Sequence, residues 1–379
     1  MSTPARQVHQ LLATLSHGDA IGNEALSIQK CLRAAGYASD IFAEGVHPRV
    51  ARLARPLWEY YSVSSAETVC IFHFSIGSAA SPLIFHAPDR LALIYHNITP
   101  PEWFVGYHRL LTQLCYRGRR ELAAFAARAD LALGASEFNR RELEQAGFRT
   151  TAVLPIVLDL ATYNAPRSPV VERLYADGRT NVLFVGRVIT NKKIDDLIRA
   201  FACYQRLFNP HSRLLLVGDY RGQERYLTVL QQLIQRLNVS DVVFAGHVEH
   251  DELLAYYGLA DVFLCLSEHE GYCVPLVEAM RFGVPVLAYD AGAISDTLRG
   301  GGLLIEEKRP QEVAGLIDVL ISNGPVRQAV LASQARALAA IRVTDFGALL
   351  RERLAPVLDG SPRATGVTAG NGGPDVRPD

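Results

Sequence analysis

Charge of one sign, closely paired cysteines and long apolar runs are all scarce in this chain, and each shortage closes off a class of function. Its 38 basic residues nearly cancel its 39 acidic ones over 379 residues. Without a basic excess there is no electrostatic footprint for bulk nucleic-acid binding, so no nucleic-acid partner is expected. The six cysteines, Cys31, Cys70, Cys115, Cys203, Cys265 and Cys273, form no C-x-x-C pair and stand at no zinc-type spacing from a histidine. They read as reduced core residues of a cytoplasmic protein, with no metal site. No run approaches the ~18 apolar residues of a membrane span, and the N-terminal MSTPARQVHQLLATL lacks an apolar leader core with a cleavage site. The chain is therefore expected to be neither exported nor transmembrane. Peripheral contact with the inner face of a membrane stays open.

What the chain does have is alternation. Short Val/Ile/Leu-rich runs alternate with longer amphipathic stretches, the pattern of parallel strands covered on both faces. The first half offers strands at 7–15, 37–43, 68–74, 91–96, 130–136 and 151–155. The second half offers 181–186, 212–218, 241–246, 261–266, 284–290 and 302–307. Two such sets, separated by the Pro-containing stretch 159–180, predict an α/β protein with two doubly wound, Rossmann-like domains. The expected limits are 1–165 for an acceptor-side domain, 166–343 for a nucleotide-binding domain, 344–359 for a helix packing back on the first domain, and 360–379 for a Gly/Pro-rich disordered tail. In doubly wound sheets ligands sit beyond the carboxyl ends of the strands. Two such domains would face each other across a cleft, and functional residues should follow strands.

The stretch 267-SEHEGYCVPLVEAMRFG-283 follows one. Its loop should lead into a helix opened by Pro275 and ended by Gly283 after Phe282. Glu270 then hangs in the loop, and Glu278 lies about one turn inside the helix. As surface charges near a helix N-terminus, such acids would gain only about 0.3–1 kcal/mol each. As a site they do more. Free amides around Cys273 and Val274 can hold a phosphate, while the carboxylates accept hydrogen bonds from sugar hydroxyls on either side. Ribose, diphosphate and sugar follow one another in that order in a nucleotide sugar.

EGYCVPLVEAM followed by GVPVLA resembles the Glu, seven residues, Glu motif of the retaining GT-B glycosyltransferases of the family 4 type, also called group 1. The resemblance implies that Glu270 contacts the donor sugar and Glu278 the ribose, with Gly271, Tyr272, Cys273 and Val274 along the donor. VLFVGRVITNKKIDDLIRAF (182–201) resembles the family's strand, Gly-Arg turn and basic loop. That places Gly186 at the turn and Arg187 and Lys192 on the diphosphate, where something cationic must stabilise the charge of the leaving group. Lys193 is adjacent, and the spacing from Arg187 favours Lys192. VVFAGHVEHDEL (242–253) resembles the segment that skirts the base, which makes His247 and Val248 candidates for base contact; a turn packed on the core would read the same.

In the first half, LSHGDAIGNEALSIQKCL (15–32) resembles the glycine loop that these enzymes place beside the donor phosphate. Amides of Gly22 and Asn23 could reach phosphate, although an ordinary strand-to-helix turn has the same pattern. His96, directly after a strand in LIYHNITPPEWF, matches the family's histidine near the donor sugar. His73 in CIFHFSIGS is a candidate for the acceptor pocket. A helix over 106–129 carries Arg109, Arg117, Arg120 and Arg128 on one face, either a solvated face or one that attracts anionic lipid or an acceptor diphosphate.

The expected activity is transfer of a hexose of mannose or glucose type from a nucleotide-diphosphate sugar, such as GDP-mannose or a UDP-sugar, to a glycan, lipid-linked or small-molecule acceptor. No cofactor beyond the co-substrate is expected, and polysaccharide biosynthesis is the expected setting. The alternatives are a nucleotide-sugar epimerase or glycan phosphorylase on the same architecture, or a two-domain ligand-binding protein without chemistry.

Overall fold

Strands that are apolar throughout need cover on both faces, and here that cover is built twice. The structure, a computed structural model, describes residues 6–359 apart from 17 and 157. The tail expected at 360–379 lies outside the described residues. The first sheet holds β1 (Val8–Leu15), β2 (Ile41–Val46), β3 (Arg55–Pro56), β4 (Val69–Phe74), β5 (Arg90–Tyr95), β6 (Leu131–Gly134) and β7 (Thr151–Val153). The second holds β8 (Thr180–Val185), β9 (Ser212–Val217), β10 (Val242–Gly246), β11 (Val262–Cys265), β12 (Val286–Tyr289) and β13 (Leu303–Ile305). All pairings are parallel, in the orders β3-β2-β1-β4-β5-β6-β7 and β10-β9-β8-β11-β12-β13. The expected pair of doubly wound domains is present.

Helices cover the sheets. On the first domain lie α1 (Ala20–Ala34), α2 (Ala80–His86), α3 (Arg109–Phe125) and α4 (Glu137–Gln145). The stretch expected to link the domains contains α5 (Pro169–Tyr175). The second domain adds α6 (Ile194–Leu207), α7 (Glu224–Leu237), α8 (His250–Leu259), α9 (Val274–Arg281), α10 (Ile294–Leu298), α11 (Pro310–Ser322) and α12 (Gly324–Arg342). The chain then recrosses. In α13 (Phe346–Leu358), Leu350, Leu354, Val357 and Leu358 are buried with Val8, Ile28 and Leu131 of the first domain.

Three local expectations are corrected. The strand expected at 37–43 begins only at Ile41, because Ala38 makes no more than an isolated bridge to Gln7. The helix expected over 106–129 is shorter: Gly106 takes φ 82°, His108 caps the start through its ring, and the helix stops at Phe125. Of the six cysteines read as core, Cys31 and Cys273 are only half-buried. No helix among the described residues is long and apolar enough to cross a membrane.

Candidate active site

Strand order fixes where a site can form. In each sheet the winding reverses once, between β1 and β4 in the first and between β8 and β11 in the second, and the crevice opens outside the carboxyl ends at that point. After β8 come Gly186 and Arg187, after β11 the Ser267–Tyr272 loop, after β1 the turn into α1, and after β5 His96 and Asn97. Segments expected to carry the site thus converge from both domains.

The two glutamates differ sharply in their surroundings. Glu270 is 6% exposed, and its Oε2 lies 2.5 Å from Lys192 Nζ. Burial works against the Lys192 ammonium, yet the Glu270 carboxylate beside it raises the lysine pKa overall. Lys193 turns elsewhere, 3.2 Å from Asp195 and 3.7 Å from Asp196, from a left-handed backbone at φ 52°. Of the two lysines it is therefore Lys192 that faces the loop. Asn191 secures the same loop, receiving the Glu268 amide and donating its Nδ2 to the His269 carbonyl at 3.0 Å. Glu278, inside α9, accepts from Tyr163 at 2.7 Å and Tyr257 at 2.6 Å. Burial pushes its carboxyl pKa up, against those two hydroxyl bonds. Each carboxylate oxygen keeps a lone pair for a further donor.

Between the glutamates, Gly271 packs directly on the first domain. A Cβ there would lie 2.5 Å from the Asn97 Cβ. Asn139 Nδ2 donates to the Gly271 carbonyl at 3.1 Å, while Asn139 Oδ1 accepts from Asn97 Nδ2 at 2.9 Å. Tyr272 is buried, and its carbonyl accepts from Thr297. Cys273 caps α9 at φ 65° with no side-chain cap bond, and Val274 opens the helix at its positive end. Arg187 is exposed, and its charge reaches Asp19 of the opposite domain, whose carboxyl burial pushes up and the Gly22 amide and Arg187 pull back.

Other candidates are placed differently from expectation. The Gly22 and Asn23 amides are engaged by Asp19, which caps α1 with its side chain at 3.3 Å and its carbonyl at 2.9 Å. Neither amide is free for a phosphate here. His73 lines no pocket: it is 1% exposed, and its two ring nitrogens meet His96 and Gln10. His96 likewise turns both ring nitrogens inward, to His73 and Glu24, and presents neither to the cleft. His247 is exposed after β10, and Val248 is half-buried against the core.

The arginine face also dissolves. Arg109 is exposed, Arg117 pairs with Glu121 and the Ser78 carbonyl, Arg120 lies over Tyr116, and Arg128 is buried against carbonyls beyond the helix end. The arginine of α3 turned toward the cleft is Arg119, which binds Glu142 Oε1 at 2.6 Å. Burial takes the His269 ring down to about 4, with the Glu270 charge opposing and the Arg119 charge adding to that shift. Sequence reasoning missed Asn139, Tyr163 and Tyr257, and nothing in their spacing marks them.

Among the described residues, two clusters each offer atoms suited to a metal that lie within 4.8 Å of one another, Glu24 with His73 and His96, and Cys265 with Glu270 and Cys273. In the second, Lys192 already neutralises the carboxylate.

Residues 172–337 match the family of glycosyl transferases group 1. A D-inositol 3-phosphate glycosyltransferase of Rhodococcus erythropolis is 32% identical over 163 residues, 42% of this chain and 37% of that protein. A GDP-mannose-dependent alpha-mannosyltransferase of Mycolicibacterium smegmatis is 36% identical over 120 residues, 32% of this chain and 28% of that protein. The chain thus spans well under half the length of these curated relatives. Sucrose-phosphate synthase from Thermosynechococcus elongatus superimposes with a TM-score of 0.73 at 18% identity, covering 93% of this chain and 99% of that one. Anabaena HepE in complex with UDP-glucose gives 0.69 at 21%, with the same coverage. At such identities the likeness is one of fold: the architecture is GT-B, and its C-terminal half carries the group 1 glycosyl transferase match.

Proposed function

We propose that the protein is a retaining hexosyltransferase that moves a mannose- or glucose-type sugar from a nucleotide-diphosphate donor to a glycan, lipid-linked or small-molecule acceptor. The observation that carries the reading is the Lys192–Glu270 pair at the switch point of the second sheet, with Arg187 at the neighbouring strand end. Lys192 and Arg187 bring positive charge to the place where a departing diphosphate gathers negative charge, and preorganised charge of this kind lowers the barrier. Glu270, held by Lys192, orients the donor sugar; Glu278, held by two tyrosines, receives the ribose. The leaving phosphate oxygen accepts the acceptor's proton as the new bond forms on the same face of the sugar. The protein thus contributes positioning and electrostatics, and no resident metal is required. The two curated relatives named above are a glycosyltransferase and a mannosyltransferase, which favours transfer over epimerisation or ligand holding.

The test is a panel of GDP-, UDP- and ADP-sugars, with products followed by mass spectrometry and anomeric configuration by NMR. Transfer or slow hydrolysis from one donor class with retention is expected. Binding without turnover of any donor overturns the reading. Arg187→Ala is expected to lower kcat/KM by about two orders of magnitude or more, as for loss of ~2.7–4 kcal/mol of transition-state stabilisation.

A further inference from the structure

Behind the cleft, four side chains of the first domain form one buried file. Gln10 on β1 donates its Nε2 to the Ala25 carbonyl at 3.0 Å, and its Oε1 faces His73 Nε2 at 2.9 Å. His73 Nδ1 and His96 Nε2 are 2.9 Å apart, and His96 Nδ1 lies 3.5 Å from Glu24 Oε2. Glu24 is 0% exposed, and at that distance neither its two carboxyl oxygens nor His96 Nδ1 has a hydrogen-bond partner.

The amide end dictates where each proton sits. A carboxamide oxygen only accepts, so His73 must carry a proton on Nε2. Its Nδ1, bare in the neutral ring, must then accept from His96 Nε2–H. That leaves a bare His96 Nδ1 facing the Glu24 carboxyl. Two acceptors cannot bond each other, so one more proton belongs at this contact. An ionised Glu24 beside a cationic His96 would bury two charges in a place no water reaches.

We infer that Glu24 is a carboxylic acid at neutral pH, its proton turned to His96 Nδ1, and that it thereby holds the His96 ring and the seat of the β5 end, where Asn97 meets Gly271. Burial supports this arrangement from both sides, pushing the Glu24 carboxyl up to about 8 and the His96 ring down to about 3. A further titratable group near Glu24 is Tyr272, whose pKa burial raises, the Arg299 charge pulls back and Glu24 raises; no arginine or lysine among the described residues bonds to the carboxyl. Glu24 is thus a positioning residue. It acts through His96 on the wall against which the Glu270 loop closes, a role that rests on the transferase reading for its effect on rate.

The experiment is long-range 1H–15N correlation on histidine-labelled protein at neutral pH with chelator present, on wild type, Glu24→Gln and Glu24→Leu. The expected result is the Nε2–H tautomer at His73 and His96 in all three proteins, with the bare His96 Nδ1 signal moved upfield by an accepted hydrogen bond in wild type and in Glu24→Gln, whose amide N–H replaces the acid O–H, and returned toward the unbonded position in Glu24→Leu. In turnover, Glu24→Leu should lose up to about 100-fold in kcat with little change in KM, and Glu24→Gln should recover most of that loss. A cationic His96, an Nδ1–H tautomer there, or a Gln variant no better than Leu would overturn the inference. So would one equivalent of Zn2+ shifting both ring signals once chelator is removed. Expected tautomers in a protein that transfers no sugar would defeat the transferase reading alone.

Discussion

At the scale of single residues, Glu24 sets an unusual pH dependence. An acid whose pKa rises from 4.5 to about 8 on folding holds a proton that the unfolded chain has released, so its full stability is present below about pH 4.5 and is lost as pH climbs toward 8. His96 works in reverse: taken from 6.5 to about 3, it favours the fold above pH 6.5 and penalises it as pH falls toward 3. Stability should peak between about pH 5 and 6.5. Glu24→Gln should flatten the alkaline limb, with a gain on the order of 4 kcal/mol at pH 8.5 that vanishes at pH 4, measured by urea unfolding. Tyr257→Phe removes a buried bond to Glu278 and should cost about 1–3 kcal/mol of stability, with a raised donor KM in steady-state kinetics. Residues of this second kind were not legible in the sequence. Glu270, Glu278 and Arg187 stand at fixed offsets from strand ends, where chemistry is confined. Glu24 sits in an amphipathic helix where a lone acid reads as solvent-facing, and Asn139 and Tyr257 act through folding that brings distant segments together.

At the scale of elements, the decisive contact is the Glu270 loop against the end of β5. Gly271→Ala would drive a methyl into Asn97, so the closed arrangement should be disfavoured and kcat/KM should fall at least about tenfold with little loss of Tm. Asn139→Ala leaves the Gly271 carbonyl and the Asn97 amide without their partner, and should lower stability by about 1–3 kcal/mol and broaden the solution scattering profile toward an open form. Strands were read well because parallel strands buried on both faces are uniformly apolar, and twelve of the thirteen stand close to their expected places. The exception, β3, is two residues long and carries Arg55 and Pro56, a composition that does not announce a strand. Helix faces were read poorly. A wheel drawn over 106–129 assumes one continuous helix, and once α3 ends at Phe125, Arg128 turns into the core.

At the scale of the whole molecule, the two sheets are joined by crossings in both directions, out after β7 and back between α12 and α13. The exposed Arg49–Glu249 pair also bridges the domains, but at over half exposure on both sides it should matter little, and Arg49→Ala should leave Tm unchanged within about a degree. Nucleotides should do far more: the matching nucleoside diphosphate at 100 times its Kd adds about 2.7 kcal/mol, visible as selective thermal stabilisation by one base. By contrast, Leu354→Ala, though far from the cleft, should lose about 2–5 kcal/mol from a fully buried site in α13. The same helix orders events during synthesis. The first sheet leaves the ribosome long before the segment that covers Val8 and Leu131, so that face stays uncapped until α13 emerges. A fragment ending near residue 165 should therefore emerge greasy on one side and depend on chaperones more than a chain that runs through α13.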